Sequence, residues 1–367
     1  TLFPYTTLFR SALAAAALLG APLAWGACVD TAAQGKADGG STCTATGSTY
    51  TNNEDTLLAQ TGGQLTVSNS VTFTAGGTMG GWNRGIVRAD GAGSKIAFSG
   101  GVTLPQEDTR KSYGLYADNG GQISVSGTTN VQFLPGSGYP GDTRFAAYAR
   151  GADSQITLGA VSLTIAPGAD TCNGLVAESG GKITYTTATI NEQNPTLGIS
   201  SQIAGEVIGG DTTINISALY GAGVESYNLV RINGTLNVIG SDEVDGLVTF
   251  QDGQIHVGAN SKIQGNDGTG VRIWGNNATP LMAGDGLQIN YTGTNSTAFD
   301  ASNTADASTT LTGATVTAQT LWDAGGSDYT FNAQGGTYTG KSIGNPLILK
   351  MSSAAAWNAN ADRKSVV

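Results

Sequence analysis

The sequence predicts an all-β chain, a single-stranded right-handed parallel β-helix, and three features carry that expectation. Gly accounts for 55 of 367 residues, about twice average usage and without collagen's every-third period, so turns are many. The remainder is largely Thr, Ser, Ala, Asn, Val and Ile, whose β-branched members favour pleated strands. One short unit, a turn followed by apolar, polar, apolar, keeps returning: "GSKIAF" at Ile96, "GGQISV" at Ile123 and "GGKITY" at Ile183.

Taken in chain order, the first segment stands apart. Residues 1–11, "TLFPYTTLFRS", have the character of translated adaptor sequence and are expected to be non-native. Residues 12–27, "ALAAAALLGAPLAWGA", form an apolar run of signal-peptide length ending in small residues, with Arg10 before it. The run is too short and Ala-rich for a membrane span, so cleavage near Ala27 is expected. Cys28 and Cys43 follow, spaced to close a small loop in an oxidising compartment; pairing and free thiols both remain open at this point. "LAWGAC" has the outline of a lipoprotein box, but Trp25 stands where an aliphatic residue belongs. Cys172 has no His nearby in sequence and suits a small buried thiol.

From residue 28 to residue 344 the repeats dominate. Aligned on the first apolar residue after the turn they give Leu65, Ile96, Ile123, Ile156, Ile183, Ile214, Leu236 and Ile255, at gaps of 31, 27, 33, 27, 31, 22 and 19 residues. The residue two further on is apolar in every copy, from Val67 and Phe98 to Val238 and Val257. Period two means one buried face and one wet face. Each strand is introduced by Gly, Asn or Asp, which tolerate positive φ. A second strand often precedes the turn, as in "RGIVRA", "YGLYA", "NGLVA", "DGLVTF" and "GVRIW". Two or three strands in each repeat suit one coil of a β-helix, whose strands pair with equivalents above and below at about 4.8 Å.

A leader, a long Gly/Thr/Ser/Asn-rich run of "GLxAxxGGxIxV"-like units and scarce Cys together resemble the passenger domain of a bacterial autotransporter of the pertactin-like type. Residues 345–361, within "NPLILKMSSAAAWNANAD", are similar to the start of the pre-barrel, autochaperone-like coils of that family, Trp357 and Asn358 holding its "W-N" place. The resemblance implies type V secretion through the periplasm to the cell surface and a partner in the chain's own C-terminal outer-membrane β-barrel. That barrel is not in the sequence, and residues 362–367, "DRKSVV", have a non-native character, so the chain is expected to break off before it.

The expected function is that of an adhesin or structural surface rod without catalysis, contacting a host-surface protein or a glycan. A secreted β-helical protein that binds or degrades polysaccharide is the alternative. A net charge of −10 opposes nucleic acid as a partner. No catalytic, metal or cofactor residues are expected, since the sequence has no GxSxG, P-loop, GGxGxD or Cys/His cluster. Asp90, Asp118, Arg150 and Glu178 recur at one place in four repeats, a column that reads as ordinary charged surface and alternatively as a cation or sugar site. His256, the only histidine, falls at an outward position suited to solvation. Trp82, Tyr113, Tyr116, Tyr139, Tyr148, Tyr220, Tyr227, Trp274 and Trp322 lie beside turns, where rings either cap ladders or stack on sugars. The insertions from Leu104 and from Leu134 lie in neighbouring repeats and are the expected place for a receptor contact.

Overall fold

At its recurrent Gly corners the chain leaves the preceding strand through left-handed residues, an Asn–Gly step at 119–120, a Ser–Gly step at 179–180 and a Thr–Gly step at 61–62. Asn119 and Gly120 take φ of 52° and 86°, a left-handed pair that Asn and Gly accept at least cost. The next residue, Gly121, has a different reason to be glycine: a Cβ there would stand 2.1 Å from the carbonyl oxygen of Ala89 in the coil below. The recurrent Gly pair thus combines a backbone requirement with a stacking requirement. Ser94 and Ser154 reconcile the same corner in alternate coils, where their buried hydroxyls accept the N–H of Gly62 and of Gly120.

The computed structural model describes residues 28–358 apart from 32–33, 52–54, 75–83, 107–111, 136–142, 168, 170–171, 194–196, 276–278, 302–306, 326–328 and 343–346. It is all-β, with parallel strands stacked into a β-solenoid of about 11 turns. The strands form three ladders. The first runs through Arg84–Asp90, Ser112–Asp118, Arg144–Arg150, Cys172–Glu178, Leu197–Ser201, Ala222–Ser226, Val244–Phe250, Gly268–Trp274 and Ser296–Asp300. The second carries the strands that follow the Gly turns, and the third the strands after those. Gln155–Ile165 and Lys182–Glu192 each serve both of these ladders without a break.

On the second ladder Leu65, Ile96, Ile123, Ile156 and Ile183 are in register one above another, each no more than 2% exposed. Thr66, Ser124 and Thr157 face out and Thr184 is half-buried. Each buried Ile is worth roughly 1.5–3 kcal/mol, and the stack forms one continuous core along the solenoid. The strands anticipated before the turns all fall on the first ladder.

Two members of the sequence alignment sit elsewhere. Ile214 and Leu236 belong to the third ladder, where Ile214 pairs with Ile190 and Leu236 with Thr212. The second ladder continues from Ile183 through Val207, Val230, Ile255 and Leu281. The physical cause is that both ladders alternate in and out with period two. A third-ladder strand behind Asp211 is therefore indistinguishable in pattern from a second-ladder strand, and the second-ladder strand of that coil is the less regular "GEVIGG" around Val207.

The N-terminal coil is closed differently from the rest. Cys28–Asp30 pairs antiparallel with Gly35–Ala37, the one antiparallel pairing among the described strands. A disulfide joins Cys28 to Cys43 with their Cα atoms 5.6 Å apart, so the Cys28 sulfur is not open to acylation. Cys172 is buried, outside any disulfide. Near the other end, Leu347–Met351 and Ala355–Asn358 stack in parallel on Tyr329–Ser342. Trp357 packs against the core and donates its indole N–H to the carbonyl of Gly340 at 3.0 Å. The segments expected to be adaptor-like, leader and tail (residues 1–11, 12–27 and 362–367) lie outside the described residues.

Candidate functional site

The first ladder presents two neighbouring outward columns, and their composition changes along the stack. One column reads Tyr113, Phe145, Asn173, Leu197, Ala222, Asp245, Thr269, Thr297. The other reads Tyr116, Tyr148, Val176, Ser200, Glu225, Val248, Arg272, Asp300. In the earlier coils the rings fill the surface. Tyr113 stacks on Tyr116 at 4.5 Å, on Phe145 at 5.1 Å and on Tyr148 at 5.0 Å, forming a small apolar cluster separate from the core. From Ala222 onward the side chains are smaller or polar, and a groove of about 820 Å³ opens.

The expected charged column exists in the expected register, with Asp90 beside Asp118, Asp118 beside Arg150, and Arg150 beside Glu178. Its carboxylates are held by hydroxyls: Tyr116 donates to Asp118 at 2.7 Å and Tyr148 donates to Glu178. Asp90 accepts from Arg88 at 2.8 Å and from Asn119 at 2.9 Å. Burial and these acceptors keep both phenols ionised only well above the usual tyrosine range. The column therefore locks the aromatic surface. His256 lies outward on the second ladder, between Arg231 and Met282, away from the groove; burial and Arg231 lower its pKa. Among the described residues, no group of His, Cys, Asp and Glu is arranged to hold a metal ion.

Within the groove, Arg272 is the organising group. Its Nη1 meets Asp245 Oδ2 at 2.6 Å, its Nη2 donates to Thr269 Oγ1 at 3.0 Å, and its Nε lies 3.4 Å from Asp300 Oδ2. Its guanidinium lies 5.0 Å from the centre of the Trp274 ring. Alongside runs an aromatic wall with one ring per coil: Tyr227 stacks on Phe250 at 4.7 Å, and Phe250 meets Trp274 edge-on at 5.3 Å. Trp274 remains 38% exposed at the end of that wall. Glu225 faces the groove with Ser200 donating to it at 3.2 Å, and burial raises its pKa. Burial raises Asp245 further, to about 6, outweighing the pull of Arg272.

Of the aromatic residues singled out in the sequence, Tyr220 and Trp274 line this groove and Tyr227 backs it. Tyr113, Tyr116 and Tyr148 are buried together in the earlier coils, and Trp322 is in the core at 1% exposure. Trp82 and Tyr139 lie outside the described residues, as do 107–111 and 136–142 of the two insertions. The flanks of those insertions are tied together: buried Arg144 donates to the carbonyls of Gln106 and Leu134 at 3.0 and 3.1 Å. Glu225, Asp245, Phe250, Arg272 and Asp300 were not singled out. A signal existed for Phe250 alone: "DGLVTF" and "GVRIW" both read as strands before a turn, and matching their last residues puts Phe250 beside Trp274.

Comparison with family models, with curated proteins and with solved structures finds no match.

Proposed function

We propose that the chain is the passenger of an autotransporter-like exported protein, a cell-surface rod that adheres to glycans through the groove on its first ladder. The observation that carries this reading is the combination of an aromatic wall ending in exposed Trp274 with hydrogen-bonding groups of Asp245, Thr269 and Arg272 beside it. Saccharides are recognised by that pairing: a ring stacks on their C–H face while charged and hydroxyl groups bond their hydroxyls. A solenoid adds rigidity, because each coil is fixed by its neighbours. Support for export comes from the leader-like run of residues 12–27 and from the Cys28–Cys43 disulfide, which suits an oxidising compartment. The barrel partner and the surface location follow from the family resemblance.

The alternative, polysaccharide cleavage, draws on one observation: Asp245 titrates near 6 in the same groove as Glu225, whose pKa burial also raises. Glycoside hydrolysis needs one carboxyl kept protonated as the acid, and Asp245 is the candidate for that role. One experiment addresses both readings. The labelled intact chain is applied to an array of immobilised glycans, with release of reducing ends followed in parallel. Retention of at least one glycan class, weakened about tenfold by Trp274→Ala, with no reducing ends released, is the expected result. Retention equal in the variant, or none in either protein, refutes adhesion through this groove; sustained release of reducing ends replaces adhesion with cleavage.

A further inference from the structure

The groove's charge is unbalanced. Glu225, Glu243, Asp245, Asp267 and Asp300 line it, and Arg272 is the only cation among the described lining residues. That guanidinium is already engaged by Asp245 and Asp300. Among the described residues the other three carboxylates meet neutral donors: the Ser200 hydroxyl at Glu225, the backbone N–H of Asn295 at Asp267, and the Tyr220 hydroxyl at Glu243. Glu225 is the most telling of them, because it is half-buried in a concave site and faces no ion-pair partner among the described residues. A desolvated carboxylate gains more from a cation than from another hydroxyl. Each of four successive coils brings at least one carboxylate to the groove, Glu225, then Glu243 and Asp245, then Asp267, then Asp300, so the complementary ligand carries positive charge along its length. The aromatic wall ending in exposed Trp274 supplies a face for a sugar ring beside them.

We propose that the groove selects glycans bearing free amino groups, a hexosamine polymer lying along the stack with an ammonium group at Glu225, over uncharged and acidic glycans. The inference rests on the glycan-binding reading above and adds the substrate class. Acidic polymers such as uronates would set carboxylate against carboxylate and are excluded by repulsion. N-acetylated polymers keep the stacking on Trp274 but lose the charge. The ammonium contact is a charge-assisted hydrogen bond in a partly desolvated site, which corresponds to a gain of about tenfold in affinity.

The test is calorimetric titration of the intact chain with four probes of matched length: a glucosamine oligomer, its N-acetylated form, a galacturonate oligomer and an oligolysine peptide. The glucosamine oligomer is expected to bind about tenfold more tightly than the N-acetylated form, and galacturonate not at all. Glu225→Gln, close in shape, is expected to abolish most of that preference, with a circular dichroism spectrum and thermal midpoint matching wild type reporting that the variant is folded. Equal affinity for the amino and acetylated forms overturns the amine selection while glycan binding stands. Oligolysine binding at least as tightly as the glucosamine oligomer overturns the proposal in favour of a basic peptide. Failure of every saccharide removes the glycan-binding reading itself, and this inference with it.

Discussion

Ile123→Ala and Ser124→Ala test the register that builds the whole molecule. Ile123 is 2% exposed, and its neighbours in the stack are Ile96 below and Ile156 above. Truncation to Ala removes three carbons at about 0.8 kcal/mol each. The rigid coils above and below restrict collapse, so a cavity contribution adds to this, and the expected loss is about 3–4 kcal/mol. Ser124, one residue along, is exposed, and its replacement is expected to change stability by less than about 0.5 kcal/mol. Because solenoid stability is a sum over neighbouring coils, the loss should be local as well as global. Guanidinium unfolding followed by circular dichroism measures the total. Hydrogen exchange of the strands Lys95–Phe98, Gln122–Val125 and Gln155–Ile165 locates it. Equal destabilisation by the two substitutions, or exchange that rises evenly along the chain, would refute the in–out assignment.

Gly121→Ala places a methyl group 2.1 Å from the Ala89 carbonyl and should cost about 1–3 kcal/mol through displaced backbone; a thermal midpoint unchanged from wild type would show that the corner relaxes freely. Asp245 has a folded-state pKa of about 6 against 3.8 for the free residue, so the folded chain holds this proton more tightly. Its contribution to stability is fully present below pH 3.8 and is lost as pH rises through about 6, by up to about 3 kcal/mol. Asp245→Asn removes that loss, so denaturant midpoints of the variant should gain on wild type between pH 4 and pH 7.5, whereas parallel profiles would contradict a raised carboxyl.

The fold was legible because its determinants are local and recur. The Gly pair at Gly120 and Gly121, the alternation through Ile123 and Val125, and the preceding strand Ser112–Asp118 all lie within a few residues of one another and return in each coil. Legibility ended where two faces of the coil obey one rule. Ile214 and Ile183 are both inward residues of period-two strands, and only hydrogen-bond register separates their ladders. The groove was harder still to read. Glu225, Asp245, Arg272 and Asp300 come from four successive coils and occupy outward positions, which carry no periodic signal. Trp274 could be flagged as an aromatic residue beside a turn, and Phe250 as its equivalent one coil earlier, but that the guanidinium of Arg272 lies over the Trp274 ring is defined only by the three-dimensional packing.

The groove also explains how one scaffold supports different surfaces without a change of fold. The inward residues of the first ladder, Leu115, Ala147, Leu175, Ile199, Val224, Leu247 and Val271, are all 1% exposed or less and hold the backbone in one register throughout. With that register fixed, the outward columns are free to vary in size and charge. Tyr113 and Phe145 close the surface in the earlier coils, while Ala222 and Thr269 leave it open further along. The recess is therefore a consequence of small side chains at set positions on a continuous wall, with no domain boundary or hinge needed to make it. A recess built this way asks little ordering of any ligand it takes. The charges at its open positions are carboxylates in excess of the one guanidinium of Arg272 among the described lining residues.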